Sequence, residues 1–170
     1  MLLRSANTRD LDALTRLEQH FPSDRLSRAH FRYLLCHGHA DIRVCEHEDG
    51  VIGNAVVLYR RGTTIARLYS FVVRPDYRRR GIARLLLQAV EAEAGVRGCR
   101  EMRLEVRPDN AAAIRFYRKT GFSLAGRIES FYEDGTEALK MSKRLVAAEK
   151  FSALSLPPRR PASGAPCTTP

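Results

Sequence analysis

Apolar residues at Ile82, Leu85, Leu86, Ala89 and Val90 recur at i, i+3, i+4, i+7 and i+8, the spacing of one helical face. They predict an amphipathic helix that ends near Gly95. The period then changes: Met102, Leu104 and Val106 alternate with charged neighbours, so residues 100–107 are expected to form a strand with one buried face. The same two periods organise the rest of the chain. Residues 2–5 read as a short strand. Leu11, Leu14 and Leu17 fall at helical spacing behind Asn7, Thr8 or Asp10 as caps, and Ser27 is placed to cap a helix carrying Phe31, Leu34 and Leu35. Strands at 41–47 and 51–59 flank Glu48-Asp49-Gly50, and Arg61-Gly62 turns the chain into a third at 64–73. Pro108-Asp109-Asn110 stops the strand at 107 and caps a helix over 111–119, which Gly121 closes. Two last strands, 123–131 and 136–144, are joined across Glu133-Asp134-Gly135.

The predicted order is strand, two helices, three strands, helix, strand, helix, two strands. That order implies an α/β fold in one domain, residues 1–146: a mixed, mostly antiparallel sheet with a central parallel βαβ crossover and helices on both faces. Beyond it, Pro157-Pro158, Pro161, Pro166 and Pro170 stand among small polar residues without any period. Residues 147–170 are therefore expected to be a disordered, Pro-rich C-terminal tail.

Composition narrows the functional classes. Hydrophobic residues make up 44% and charged residues 28% of the 170, which is ordinary for a soluble globular domain. No apolar run approaches the roughly 20 residues that span a bilayer, and no secretory pattern opens the sequence, so a cytoplasmic location without a membrane partner is expected. The four cysteines, Cys36, Cys45, Cys99 and Cys167, have neither C-x-x-C pairing nor metal-ligand spacing, which fits reduced thiols and no metal. The formal net charge of +10 favours polyanions. The basic residues are scattered, however, except for Arg78–Arg80 and Arg84, which argues for one phosphate site rather than a dedicated nucleic-acid surface.

That cluster lies in Val72-Val73-Arg74-Pro75-Asp76-Tyr77-Arg78-Arg79-Arg80-Gly81-Ile82-Ala83-Arg84, between an apolar strand and the amphipathic helix. A helix start exposes unpaired N–H groups at the positive end of its dipole and can hold an anion. Gly81 would let the backbone approach that anion closely, and Ala83 keeps the first turn slim. The pattern suggests a pyrophosphate clamp at the carboxyl end of a strand, where ligands of open α/β sheets bind.

With this loop in its expected place, the chain resembles the GNAT acetyltransferase superfamily. The family's R-x-x-G-x-G/A loop is matched by Arg78-Arg79-Arg80-Gly81-Ile82-Ala83. A second block, Leu104-Glu105-Val106-Arg107-Pro108-Asp109-Asn110-Ala111-Ala112-Ala113-Ile114-Arg115-Phe116-Tyr117 followed by Gly121-Phe122, is similar to bacterial ribosomal-protein-alanine N-acetyltransferases. It is also similar to acetyltransferase domains fused to cysteine-peptidase-like domains. In place of an aromatic that the ribosomal-protein enzymes often carry after Phe-Pro, Phe21-Pro22 is followed here by Ser23-Asp24.

The resemblance implies acetyl-coenzyme A as co-substrate and a primary amine as acceptor. By position, backbone groups of Phe71, Val72 and Val73 would pair with the pantetheine arm. Arg78, Arg79, Arg80, Gly81, Ile82, Ala83 and Arg84 would form the pyrophosphate cradle. Asn110 would contact the cofactor arm, Tyr117 would sit by the thioester sulfur as acid, and Glu105 would act on the attacking amine as base. Read from the pattern alone, Glu105 is one of several alternating charges on a strand, Tyr117 is a core aromatic, and Asn110 is a helix cap. Tyr69 and Tyr132 either line the acceptor groove or pack on the sheet.

Proton energetics favour an easy amine. An α-amine of pKa about 7.8 loses its proton at pH 7 for about 1 kcal/mol, whereas a lysine near 10.4 needs about 4–5 kcal/mol. The expected acceptor is therefore the N-terminus of a protein or peptide, with ribosomal proteins among the candidates. A small-molecule amine (polyamine, amino acid or aminoglycoside), a lysine, and a non-catalytic cofactor-sensing or nucleic-acid-binding module are the alternatives. Residues 17–35 and the acidic stretch 129–137 would shape the acceptor side.

Overall fold

Among the described residues, seven strands form one sheet: β1 (Leu2–Ser5), β2 (Ala40–His47), β3 (Gly50–Tyr59), β4 (Ile65–Val73), β5 (Glu101–Val106), β6 (Ser123–Ile128) and β7 (Ala138–Arg144). Their order across the sheet is β1-β2-β3-β4-β5-β7-β6. The structure is a computed structural model in which residues 1–20 and 25–146 are described. The expected tail at 147–170 and the Phe21-Pro22-Ser23-Asp24 segment lie outside the described residues. Every neighbouring pair is antiparallel except β4 and β5, which run parallel as the crossover predicts.

Four α-helices among the described residues cover the sheet: α1 (Leu11–Glu18), α2 (Arg28–Cys36), α3 (Ile82–Val96) and α4 (Ala111–Lys119). Their starts follow the sequence closely. Asn7 and Asp10 form a capping box ahead of α1, Ser27 Oγ accepts from His30 N at 3.1 Å, and Asn110 Oδ1 accepts from Ala113 N at 3.1 Å. Leu11, Leu14, Phe31 and Leu34 pack with Ile42, Val44 and Val56 on one sheet face. Leu86, Leu87, Val90 and Tyr117 pack with Ala66, Leu68, Met102 and Leu104 on the other. Helices therefore lie on both faces, as expected.

Two local expectations change. Leu85 is 42% exposed, and Leu87 takes its place among the buried residues of α3. These two side chains point about 200° apart on a helix, so only one can face the sheet. The strand expected over 123–131 ends at Ile128, because Ser130 adopts a φ of 48° and the amides of Phe131 and Tyr132 both turn to Thr136 O. The segment between β6 and β7 is thereby freed from the ladder and folds as a loop.

The feature that organises everything else is a bulge in β4. Val56 pairs with Ser70 and Val57 with Leu68, leaving Tyr69 as an extra residue. A bulge bends its strand and reverses the alternation of side chains beyond it. Ala66 and Leu68 accordingly belong to the α3/α4 core before the bulge, whereas Phe71 and Val73 pack against it afterwards. Pairing between β4 and β5 is confined to Ile65–Glu101, Ala66–Met102 and Arg67–Arg103. Past Arg67 the two strands part and leave a cleft through the middle of the sheet.

Candidate active site

The cleft opens into a cavity of about 620 Å³ bounded by β4, β5, the end of α1, the start of α4 and the loop between β6 and β7. Glu105, Tyr117, Asn110 and Phe71 all line it, so sequence-distant candidates converge on one space. They approach from opposite sides. Glu105 alternates with Leu104 and Val106, which belong to the α3/α4 core, and so projects from the α1/α2 face. Tyr117 belongs to the α3/α4 core itself.

Glu105 does not stand alone. Its Oε2 accepts from Arg67 Nε at 2.9 Å, an ion pair joining β5 to β4 just where the strands separate. Tyr117 is 7% exposed, with the rings of Phe116 and Phe122 edge-on to it at 5.5 Å each. Burial pushes its phenol well above the usual tyrosine range, so it carries its proton throughout neutral pH. Asn110 caps α4 and lines the cavity at once. Tyr69 and Tyr132 also line it, overlain by the guanidinium groups of Arg67 at 5.2 Å and Arg107 at 4.1 Å.

The anion loop lies at the far end of β4. Gly81 is the N-cap of α3 in the left-handed region, φ 81°, and no side chain caps the helix. Arg79 is also left-handed, φ 64°. Arg78, Arg79, Arg80, Gly81 and Arg84 are exposed, Ala83 is half-buried, and Ile82 anchors the helix in the core. Tyr77 holds the loop in place: its hydroxyl donates to Asp49 in the β2–β3 turn, and Arg74 and Arg80 lie over its ring at 4.5 and 4.9 Å. Within the adjacent β4 segment, Val72 is buried and Val73 O accepts from Arg78 Nε at 3.2 Å.

These features fit a ligand with an anionic head and an extended arm. Uncapped amides and exposed arginines await the head, and the β4 edge released by the bulge offers backbone groups along the arm's path. A Cβ built on Gly81 would meet nothing within 4 Å, so the left-handed backbone rather than protein packing favours glycine there, and the space in front of it is open.

Two cavity-lining polar residues escaped the sequence reading. Glu18, only 2% exposed, lines the cavity with Ser70, whose Oγ donates to Glu18 Oε1 at 2.6 Å. Leu26 N donates to Glu18 Oε2 at 3.0 Å, and burial raises the carboxyl above the usual glutamate range. The signal for Glu18 was present: it stands four residues after Leu14 and seven after Leu11, on the apolar stripe of α1. Ser70 was hidden by the bulge. The acidic stretch 129–137 is partly neutralised, since Asp134 pairs with Arg107 at 2.8 Å and Glu137 with Arg127 at 2.5 Å. Cys99 is buried with its thiol pushed up by desolvation, which suits a structural cysteine. Among the described residues no group of three or more metal-ligating side chains occurs, and no helix is long and apolar enough to cross a membrane.

The family described as Acetyltransferase (GNAT) family matches residues 11–122, more than half of the chain. The ribosomal protein bS18-alanine N-acetyltransferase of Escherichia coli K12 is 42% identical over 74 residues, covering 42% of this chain and 50% of that protein. N-alpha-acetyltransferase 30 of Schizosaccharomyces pombe is 37% identical over 81 residues, 47% of this chain and 54% of that one. In sequence, the match spans about half the length of each of these two relatives. Similarity in three dimensions is broader: the crystal structure of the Escherichia coli ribosomal-protein-alanine enzyme superposes with a TM-score of 0.75 at 28% identity, covering 91% of this chain and 99% of that one.

Proposed function

The chain belongs to the GNAT family of acetyltransferases, and from that premise we propose that it carries an acetyl group from acetyl-coenzyme A to the N-terminal α-amine of a protein or peptide. The observation that carries this reading is the through-sheet cleft: one cavity reaches a buried phenol from the α3/α4 side and a carboxylate from the α1/α2 side. Donor and acceptor can enter such a cleft from opposite faces and meet between the two groups.

When bound, acetyl-coenzyme A supplies an acyl carbon already activated as a thioester. The amides and arginines from Arg78 to Arg84 hold its diphosphate, and backbone groups of Phe71, Val72 and Val73 align its arm along the open edge of β4. Asn110 fixes the arm from the α4 side. Glu105 accepts a proton from the attacking amine, and Tyr117, kept protonated by its apolar surroundings, supplies one to the departing sulfur. The relatives named for acetylating protein N-termini support an α-amine acceptor, and so does the lower cost of neutralising it.

The test is to incubate the full chain with acetyl-coenzyme A and peptides bearing free or blocked N-termini, following thiol release and locating the new acetyl group by mass spectrometry. Acetylation at Nα of the free peptides is expected. Modification at lysine Nε alone, or of small amines alone, would overturn the proposed acceptor.

A further inference from the structure

Converting an ammonium into an amide removes two protons from one nitrogen. The first must leave before the lone pair can attack, and the second leaves as the N–C bond forms. One proton goes out with the sulfur and the other must reach solvent. Glu105 cannot perform both tasks, because a carboxylate that has taken the first proton is no longer a base for the second. Its pairing with Arg67 at 2.9 Å makes it a weaker acceptor for the ammonium's proton than for the one shed as the amide forms.

Glu18 offers what Glu105 lacks. It is a carboxylate enclosed in the cavity wall, held by the Ser70 hydroxyl at 2.6 Å and the Leu26 amide at 3.0 Å, and no cation among the described residues pairs with it. Enclosure of this kind makes the carboxylate a stronger proton acceptor than an exposed one. The hydrogen of Ser70 Oγ is committed to Glu18, so the serine can turn only lone pairs toward an incoming N–H. Of the charged groups that share the cavity, Arg67 is held by Glu105 and Arg107 by Asp134, while Asp109 stands at the start of the α4 loop.

We propose that Ser70 and Glu18 form a proton relay that neutralises the incoming ammonium before attack, leaving Glu105 to take the proton shed as the amide forms. This rests on the acetyl-transfer reading. The ammonium gives one proton to Ser70 Oγ while Ser70 passes its own to Glu18 Oε1, leaving a neutral amine, an unchanged serine and a protonated Glu18. The N–C bond then forms as the C–S bond breaks. The nitrogen's second proton goes to Glu105, the Tyr117 proton goes to sulfur, and Glu105 restores Tyr117. Glu18 finally releases its proton to water, so one proton leaves on the thiol and one enters solvent.

The experiment compares two peptides that differ only at the N-terminus, assayed with the full chain at pH 6. One carries an ordinary α-amine, which at a pKa of about 7.8 is protonated roughly 60-fold over the neutral form. The other carries an aminooxy group, whose nitrogen is weakly basic and already neutral. Ser70→Ala and Glu18→Gln are each expected to lower kcat/KM for the α-amine peptide about tenfold or more while leaving the aminooxy peptide within about twofold of wild type. Ser70→Thr, which keeps the hydroxyl, should retain the wild-type ratio. Equal losses on both peptides would reduce the pair to structural support and overturn the relay, as would no loss on either. Should Glu18→Gln fail to fold, Ser70→Ala decides the matter by the same ratio. Absence of thiol release by the wild-type chain with both peptides would instead sink the acetyl-transfer reading itself.

Discussion

Arg67 Nε and Glu105 Oε2 meet at 2.9 Å beside the last residue pair that joins β4 to β5. The pair fixes the carboxylate at the foot of the cleft and marks where the sheet opens. Glu105→Gln keeps an oxygen that can accept from Arg67 but cannot take a proton. Turnover is expected to fall about 10²-fold, in the range of a lost general base, while calorimetry finds acetyl-coenzyme A affinity within about twofold of wild type. Undiminished turnover would remove Glu105 from the chemistry.

Tyr117 sits among Phe71, Phe116 and Phe122, so a phenylalanine in its place keeps the ring contacts and deletes only the hydroxyl. Tyr117→Phe is expected to lower kcat about 10- to 100-fold with an unchanged melting temperature. Because burial raises the phenol above its usual pKa of about 10, no alkaline loss of wild-type rate assignable to Tyr117 should appear below that pH. A Tyr117→Phe variant as fast as wild type would confine the residue to packing.

Gly81 separates backbone strain from ligand space. An unbranched L-residue at φ 81° costs roughly 1–2 kcal/mol, about 2–8 °C of melting temperature for a domain this size. The side chain of Gly81→Gln would project into space empty of protein, where the diphosphate is proposed to lie. Acetyl-coenzyme A binding is therefore expected to weaken more than tenfold, a loss out of proportion to the small drop in stability. Calorimetry alongside a thermal melt distinguishes the two effects, and unchanged affinity would move the diphosphate elsewhere.

What could be read before folding, and what could not, follows from how far each signal reaches along the chain. Caps, turns and periodic faces are local, which is why Asn7, Ser27, Asn110 and Gly81 all stand where their neighbours imply. The Arg67–Glu105 pair spans 38 positions and the Ser70–Glu18 bond 52, and no local pattern encodes either. The bulge at Tyr69 is subtler. Residues 64–73 look like one uninterrupted strand, yet the extra residue sends Ser70 to the face opposite Leu68, and only the register against Val56 and Val57 reveals it. Leu85 misled for another reason: an apolar residue at the margin of a helical stripe fits the period whether it is buried or exposed.

One acid-sensitive contribution to stability is expected at the sheet's edge, away from the active site. Arg4 Nη1 and Nη2 donate to Asp10 Oδ2 and Oδ1 at 2.8 Å each, and Asn7 N donates to Oδ2 at 2.8 Å, tying β1 to the start of α1. The Arg4 guanidinium outweighs the opposing desolvation and, with the Asn7 amide, holds the Asp10 carboxyl below its ordinary range. A carboxyl depressed on folding stabilises the fold above its unfolded pKa of about 3.9, and that contribution is lost as pH falls through the lower folded value. Asp10→Asn is therefore expected to cost about 2 kcal/mol at pH 7, as a charged hydrogen-bonded pair gives way to a neutral one. The gap to wild type should narrow steadily below about pH 4. Urea unfolding of both proteins between pH 7 and pH 2.5 checks this, and stability curves that stay parallel across that interval would show that Asp10 contributes no pH dependence.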